Sequence, residues 1–295
     1  DDVFAPFYAR VAETIRRHQP TWSVFAEMDA FAHAAGRHFP RDLPERTVNA
    51  SHWYDIGVLY LKRFDPANHR EALSGEPERG LEAIGARYRR QLGDIRDAAE
   101  GFPGGAPTLI GEFGIPYDLA DGADFTRWAA GGRDGLWQQH EAALDLMYDA
   151  VDALGLHSTQ WNYSASNRND LRIGDNWNQE DLSIFSRDQH DDCSGDDGGR
   201  AVRGFCRPYA PCVQGWWHST MFDRDSGRFE LCFFANAAIS DSTEVYAPTI
   251  QYPDGWVLRF EGVAARIDRD DLRQTIMIQA LECGMATVTL DRPRP

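Results

Sequence analysis

The sequence predicts an α/β chain in which parallel βα units are followed by a small antiparallel β-sandwich, and three observations carry that reading. Helical and strand-like patterns alternate through residue 164. Their units of about 25–50 residues have the rhythm of parallel strands joined by right-handed crossovers, closing as a barrel or spreading as a doubly wound sheet. A long polar stretch rich in Asp, Asn and Gly then fills 165–200, the kind of loop that is usually functional. From about residue 205, short strands recur with turn signals between them.

A helix is expected over 4–18, where Phe4, Phe7, Tyr8, Val11 and Ile15 recur at spacings of three and four. Asp1 and Asp2 stand at its positive end, and Pro20 stops it. WSVFAEM (22–28) reads as a strand, and a connection rich in Ala, His, Arg and Pro leads to a second, TVNASHWYD (47–55). Residues 78–100 are helical, with Leu81, Ile84, Tyr88, Leu92 and Ile95 on one face. Gly104-Gly105 breaks that pattern before PTLIGEFG (107–114), a buried-type strand ending in a turn. A helix over about 136–154 turns Leu144, Met147, Tyr148, Val151 and Leu154 inward, and HSTQWNYS (157–164) is the fourth strand. Beyond residue 205 we expect a hairpin over 222–235 about Asp225-Ser226-Gly227, then strands at 242–250, 255–262, 273–281 and 286–291. Residues 206–295 would form the sandwich and residues 1–205 the βα part. There is no internal repeat.

Composition narrows the function. The 295 residues are 42% hydrophobic and 26% charged, as in soluble globular proteins. The net charge of −16 argues against a nucleic-acid partner and against an anionic membrane surface. A 12% aromatic content serves cores and interfaces first, and sugar faces second. Cys193, Cys206, Cys212, Cys232 and Cys283 show no CxxC or Cys/His metal spacing, so no zinc site is expected. Their spacing admits either a bridge among Cys193, Cys206 and Cys212 or free thiols. No apolar run reaches the ~18 residues of a membrane span. No signal peptide opens the sequence, whose first residues read like the middle of a protein.

In parallel βα folds reactive groups gather at the C-terminal ends of strands. Each expected strand carries polar residues there: Glu27, then His52 and Tyr54, then Glu112, then Trp161 and Asn162. Glu112 ends a strand of small and branched residues between Gly111 and Gly114. A carboxylate there is costly to desolvate unless bonded, which makes it a candidate nucleophile or, alternatively, a salt-bridged structural group. His52 and Tyr54 alternate across Trp53 and so face one side, where the phenol could donate to a carboxylate and hold it ionised. A satisfied core histidine fits the same pattern. Trp161 offers a plane on which a pyranose could stack, or core filling.

These residues resemble a known family. GEFG after a strand, HWYD on the strand before and QWN on the strand after look like the sixth to eighth strands of glycoside hydrolase family 5. The loop NRNDLRIGDNWNQEDLSIF (167–185) is similar to the one that follows the last strand in its endoglycoceramidase-like branch. RPY (207–209), the hairpin at 222–235 and STEVYAP (242–248) resemble that branch's C-terminal β-sandwich. FYARVAETIRRHQP and WSVFAEM resemble its fourth helix and fifth strand. The resemblance implies the C-terminal half of a (β/α)8 TIM barrel, strands five to eight, followed by the sandwich. It matches Glu112 to the nucleophile that forms the covalent glycosyl-enzyme, His52 and Tyr54 to the pair lining its pocket, and Trp161 to the stacking residue of the cleaved sugar's subsite. Glu27 falls where a strand-five side chain can reach substrate. Trp177, Asn178, Glu180 and Asp181 either contact sugar or aglycone or pin the loop.

The family's acid/base is the Glu of an Asn-Glu pair ending strand four, and no such pair occurs in this sequence. A retaining enzyme needs both carboxyl groups, about 5–5.5 Å apart. The expectation is therefore a nucleophile-bearing part, with the proton donor and strands one to four supplied by a second chain or precursor fragment. The resemblance implies a glycolipid substrate such as a glycosylceramide or steryl glucoside, with no metal or organic cofactor. A hydrolase of β-glucoside oligosaccharides and a non-catalytic carbohydrate-binding remnant are the competing readings, and Glu27 as a substitute acid is a third. By analogy with the branch's bacterial members secretion is favoured, although the residues themselves leave the compartment open.

Overall fold

The computed structural model describes residues 3–28, 39–40, 42–102, 105–177, 179–190 and 197–293. It divides into two compact units, 1–140 with 156–200, and 141–155 with 201–295.

The first unit is built on four parallel strands. After α1 (Phe4–Arg16) come β1 (Val24–Ala26) and β2 (Thr47–Asn49), paired in parallel with Val24 opposite Thr47. A short helix, α2 (Ile56–Leu61), and a small hairpin of β3 (His69–Arg70) and β4 (Pro77–Glu78) precede α3 (Leu81–Asp97). Strand β5 (Leu109–Phe113) adjoins β2 through a parallel bridge from Asn49 to Thr108 and the bond from the Gly111 N–H to the Ser51 carbonyl. Helix α4 (Leu119–Ala129) follows, and after α5 (Gln138–Leu154), which from residue 141 belongs to the second unit, comes β6 (His157–Gln160), parallel to β5. Ile84, Tyr88, Leu92 and Ile95 on α3 are buried as its periodicity predicts, whereas Leu81 is exposed.

Several expectations are corrected. The strands are shorter than their apolar runs, and the helix expected to reach residue 18 stops at Arg16. Of the predicted inward face of α1, Phe4 and Phe7 lie exposed, as does Phe25 on β1, whose neighbours Val24 and Ala26 are buried. Part of the connection after β1 lies outside the described residues. Helix α4 escaped the pattern because Ala120, Asp121 and Gly122 take left-handed conformations that interrupt its periodicity.

The second unit contains α6 (Val202–Phe205) and two four-stranded antiparallel sheets. The strands follow in order: β7 (Tyr209–Cys212), β8 (Gly215–Asp223), β9 (Arg228–Ala235), β10 (Thr243–Tyr246), β11 (Val257–Glu261), β12 (Ala265–Asp270), β13 (Thr275–Ala280) and β14 (Gly284–Asp291). The sheets run β12-β13-β10-β7 and β11-β14-β9-β8, and enclose a core that includes Phe229, Leu231, Phe233, Val245, Ile276, Ile278 and Val288. The β8–β9 turn forms at Asp225-Ser226-Gly227, where the Asp223 carboxylate accepts from the Ser226 N–H and Gly227 takes a positive φ of 74°. The strand expected over 242–250 ends at Tyr246, after which the chain turns at Pro248, whose carbonyl accepts from Gln251. Strand β12 carries charge on both faces and so showed no alternation.

On α5, Asp145, Asp149 and Asp152 share one face and converge on buried Arg207 at 3.3, 2.6 and 3.0 Å. Burial, reinforced by the charges of Asp149 and Asp145 and opposed by Arg207, pushes the Asp152 carboxyl up to about 6. Cys212, Cys232 and Cys283 are free thiols, and Cys206 Sγ lies 3.8 Å from the Tyr246 hydroxyl; Cys193 lies outside the described residues.

Candidate active site

The parallel strands of the first unit bring four of the sequence-predicted residues together. The Tyr54 hydroxyl donates to Glu112 Oε2 at 2.9 Å. His52 Nδ1 stands 3.5 Å from the same oxygen and 3.3 Å from Glu27 Oε1. His52 and Glu112 are each about three-quarters covered, while Glu27 is half exposed. Trp53, between the two pocket residues in sequence and past the end of β2, packs away from them. It is buried edge-on against Tyr88 and donates its indole N–H to Gln91.

Gly111 and Gly114 make this convergence possible. A Cβ on Gly111 would lie 2.3 Å from the Ala50 carbonyl oxygen and 3.0 Å from the His52 ring. One on Gly114 would lie 2.4 Å from the Trp161 carbonyl oxygen. Either distance is far inside van der Waals contact, so the strands can approach only where no side chain intervenes. The Trp53 N–H donates to the Glu112 carbonyl and the Trp161 N–H to the Phe113 carbonyl, locking the neighbouring segments on either side of Glu112.

Behind Tyr54 lies a network that sequence reasoning missed. Asp55 caps α2 by accepting from the Val58 N–H. It also accepts from the Arg87 guanidinium and the Tyr88 hydroxyl, each at 2.7 Å, with His69 Nε2 at 3.0 Å. Burial alone would raise the Asp55 pKa, but the bond from His69, the charge of Arg87 and the Tyr88 hydroxyl hold it well below the usual carboxylate range. An Asp directly before a helical run was the available signal.

The long loop supplies the rest. Trp161 and Trp177 meet edge to face with ring centroids 6.3 Å apart, and Trp177 is exposed. The Asn162 side-chain amide donates to buried Asp175, which also accepts from the Leu182 N–H. Asn162 is thus engaged within the loop. Asp181 pins it: it is paired with Arg200, fully buried and 4.4 Å above the Tyr117 ring, while its carbonyl accepts from the Tyr117 N–H. Arg200 gave no sequence signal, because its partners are assembled only by the fold. Glu180 is partly buried, and burial together with the charges of Asp175, Glu112 and Asp118 raises its pKa against the opposing charge of Lys62. Asn178 lies outside the described residues. Among the described residues no group of three or more His, Cys, Asp or Glu side chains is placed to hold a metal ion.

Parallel strands with a carboxylate, an imidazole and a phenol at one rim, together with a two-sheet sandwich, define the C-terminal part of a barrel enzyme. Residues 207–290 match the family model of the glycoside hydrolase family 5 C-terminal domain, which bears out the resemblance read from the sequence. The chain is 27% identical over 235 residues to a glucosylceramidase of Rhizopus delemar, a match covering 72% of this chain and 33% of that protein. It superposes on the crystal structure of Cryptococcus neoformans sterylglucosidase 1 with a TM-score of 0.84 and 26% identity, over 99% of this chain and 44% of the other. Endoglycoceramidase II from Rhodococcus sp. shares the fold, with a TM-score of 0.60 at 17% identity over 98% of this chain and 54% of that one. The chain therefore spans about a third of the curated relative and less than half of the sterylglucosidase.

Proposed function

We propose that this chain is the nucleophile-bearing part of a retaining β-glycoside hydrolase in which Glu112 attacks the anomeric carbon. The observation that carries the reading is the Tyr54–Glu112 hydrogen bond at the C-terminal end of a parallel strand, with His52 beside it. Burial first, then the bond to Glu112 and its charge, raise the Tyr54 pKa, so the phenol keeps its proton through the neutral range. It can therefore fix one Glu112 oxygen and leave the other free to react.

In the first step that oxygen bonds to the anomeric carbon, the glycosidic C–O bond breaks, and the leaving oxygen takes a proton from a second carboxylic acid. Water then cleaves the glycosyl ester, deprotonated by the same group acting as base. We assign that acid/base to a glutamate outside these 295 residues, contributed by the missing barrel strands. Trp161 would stack against the sugar and Trp177 would border the aglycone side. The relatives' names, glucosylceramidase and sterylglucosidase, support a glycolipid substrate over an oligosaccharide.

Glu112→Gln in an active preparation should cost roughly 10⁴-fold or more in kcat while leaving the fold unchanged. Retained turnover would remove the assignment, and an active sample whose mass spectrum holds no second polypeptide would remove the two-chain picture.

One observation favours a second reading. Glu27 and Glu112 both approach a single His52 nitrogen, so the two oxygens lie at most about 7 Å apart, a bound that admits the ~5–5.5 Å spacing of a retaining pair. Glu27 as the acid would make this chain active alone on an aryl β-glucoside, and Glu27→Gln would abolish that activity.

A further inference from the structure

Three rim segments of the first unit are stitched together beside Glu112. Lys62, just past α2, pairs with Asp118, and its carbonyl accepts from the Ala120 N–H at 2.9 Å. Gly122 on the α4 turn packs so tightly under Leu171 that a Cβ there would lie 2.8 Å from the leucine methyl. The Tyr117 N–H binds the Asp181 carbonyl, and Trp177 rests on Trp161. This continuous rim carries Tyr60, Leu61, Leu171, Ile173 and Trp177, each between 51% and 77% exposed. Large apolar side chains concentrated on one rim, beside a site, are an interaction surface by their chemistry.

The charges among them share one arrangement. Arg63 pairs with Asp65, Arg168 with Asp188, Arg172 with Asp170 and Lys62 with Asp118. In every pair the cation is the more exposed partner; Arg172 is 91% exposed against 34% for Asp170. Against them stand Asp121, exposed on the α4 turn, and the partly buried Glu180, bridged to Trp177. Lys62 is also the single lysine of the sequence, in a chain with 46 acidic residues. The outermost charges of this rim are thus predominantly positive on a protein whose net charge is −16. Cations interleaved with Trp, Tyr and aliphatic side chains complement a layer that has phosphates outside and hydrocarbon beneath.

We propose that this rim docks on a zwitterionic phospholipid surface, with Leu61, Leu171, Ile173 and Trp177 entering the headgroup–acyl boundary and the cations of Arg63, Arg168 and Arg172 meeting lipid phosphates. The proposal rests on the glycolipid reading, because docking in this orientation presents the Glu112 rim to a sugar whose lipid stays in the bilayer. A net-negative protein is repelled by anionic surfaces, so the zwitterionic layer is the occupant the charges favour.

The test is co-flotation of the active preparation, with whatever polypeptide accompanies the chain, on phosphatidylcholine vesicles that contain no glycoside, so that binding is read without catalysis. The native chain and Glu112→Gln should float equally. Leu61→Glu combined with Ile173→Glu should lower the bound fraction by roughly tenfold or more, since each removes an exposed aliphatic side chain that would enter the acyl boundary. Arg172→Glu alone, at a site too exposed to affect folding, should weaken binding by several-fold. Brominated phosphatidylcholine should quench tryptophan fluorescence of the native chain, a readout that needs no variant. A native chain that neither floats nor is quenched overturns the proposal, as does one whose flotation survives all three substitutions. Loss of flotation leaves Glu112 chemistry untouched, and loss of Glu112 chemistry leaves flotation untouched, so the two readings fail separately.

Discussion

Replacing Tyr54 by Phe removes one oxygen and little else. The ring stays, and the lost interaction is the 2.9 Å bond to Glu112 Oε2. A hydrogen bond to a charged acceptor contributes about 1.5–3 kcal/mol net. If the bond orients the attacking carboxylate, its loss should appear in kcat/KM as a fall of roughly 10- to 100-fold. Removing a donor also makes a carboxylate more basic, which would offset part of the loss; misorientation dominates because a near-attack geometry tolerates little displacement. The assay is kcat/KM on an aryl β-glucoside, with thermal unfolding as the control for folding. Because the Tyr54 pKa lies well above its ordinary value, no alkaline limb below about pH 10 should disappear in the variant. A variant within twofold of the native rate, at unchanged stability, would refute the role given to this bond.

Two further predictions concern the scaffold. Gly114→Ala places a methyl 2.4 Å from the Trp161 carbonyl and should cost about 1–3 kcal/mol by denaturant titration, with activity falling as well because the strand beside Glu112 is displaced. Asp152→Asn tests the Arg207 cluster: a carboxyl raised to about 6 from 3.8 holds its proton more tightly folded than unfolded, so its stabilising effect is full below about pH 4 and is lost as pH rises through 6. The variant should therefore gain on the native chain above pH 6, by on the order of 2–3 kcal/mol at most, and show no gain below pH 4. A pH-independent difference in unfolding free energy would contradict that account.

Much of this was legible before any coordinate. The βα alternation, the sandwich and the shared side of His52 and Tyr54 follow from period-2 and period-3.6 patterning, whereas their meeting with Glu112 was implied only by the family resemblance. Elements without such a pattern were not legible. Helix α4 hides behind three left-handed residues, and β12 behind charges on both faces. Contacts between distant segments left no local trace. Asp55 reaches Arg87 across 32 residues, and Arg200 reaches Asp181 across 19, each meeting its partner only through the fold. The exposure of Phe4 and Phe7 could not be read either, since an apolar stripe states that a face can be buried and not what lies against it.

The central claim is that Glu112 bonds covalently to the sugar. A 2-deoxy-2-fluoro-β-glucoside with a good leaving group, given to a preparation that turns over, slows hydrolysis of the glycosyl ester and lets the adduct be mapped by mass spectrometry. The account predicts one added glycosyl unit on the peptide containing Glu112. Labelling of a Glu27 or Glu180 peptide, or turnover that leaves every peptide unmodified, would contradict it.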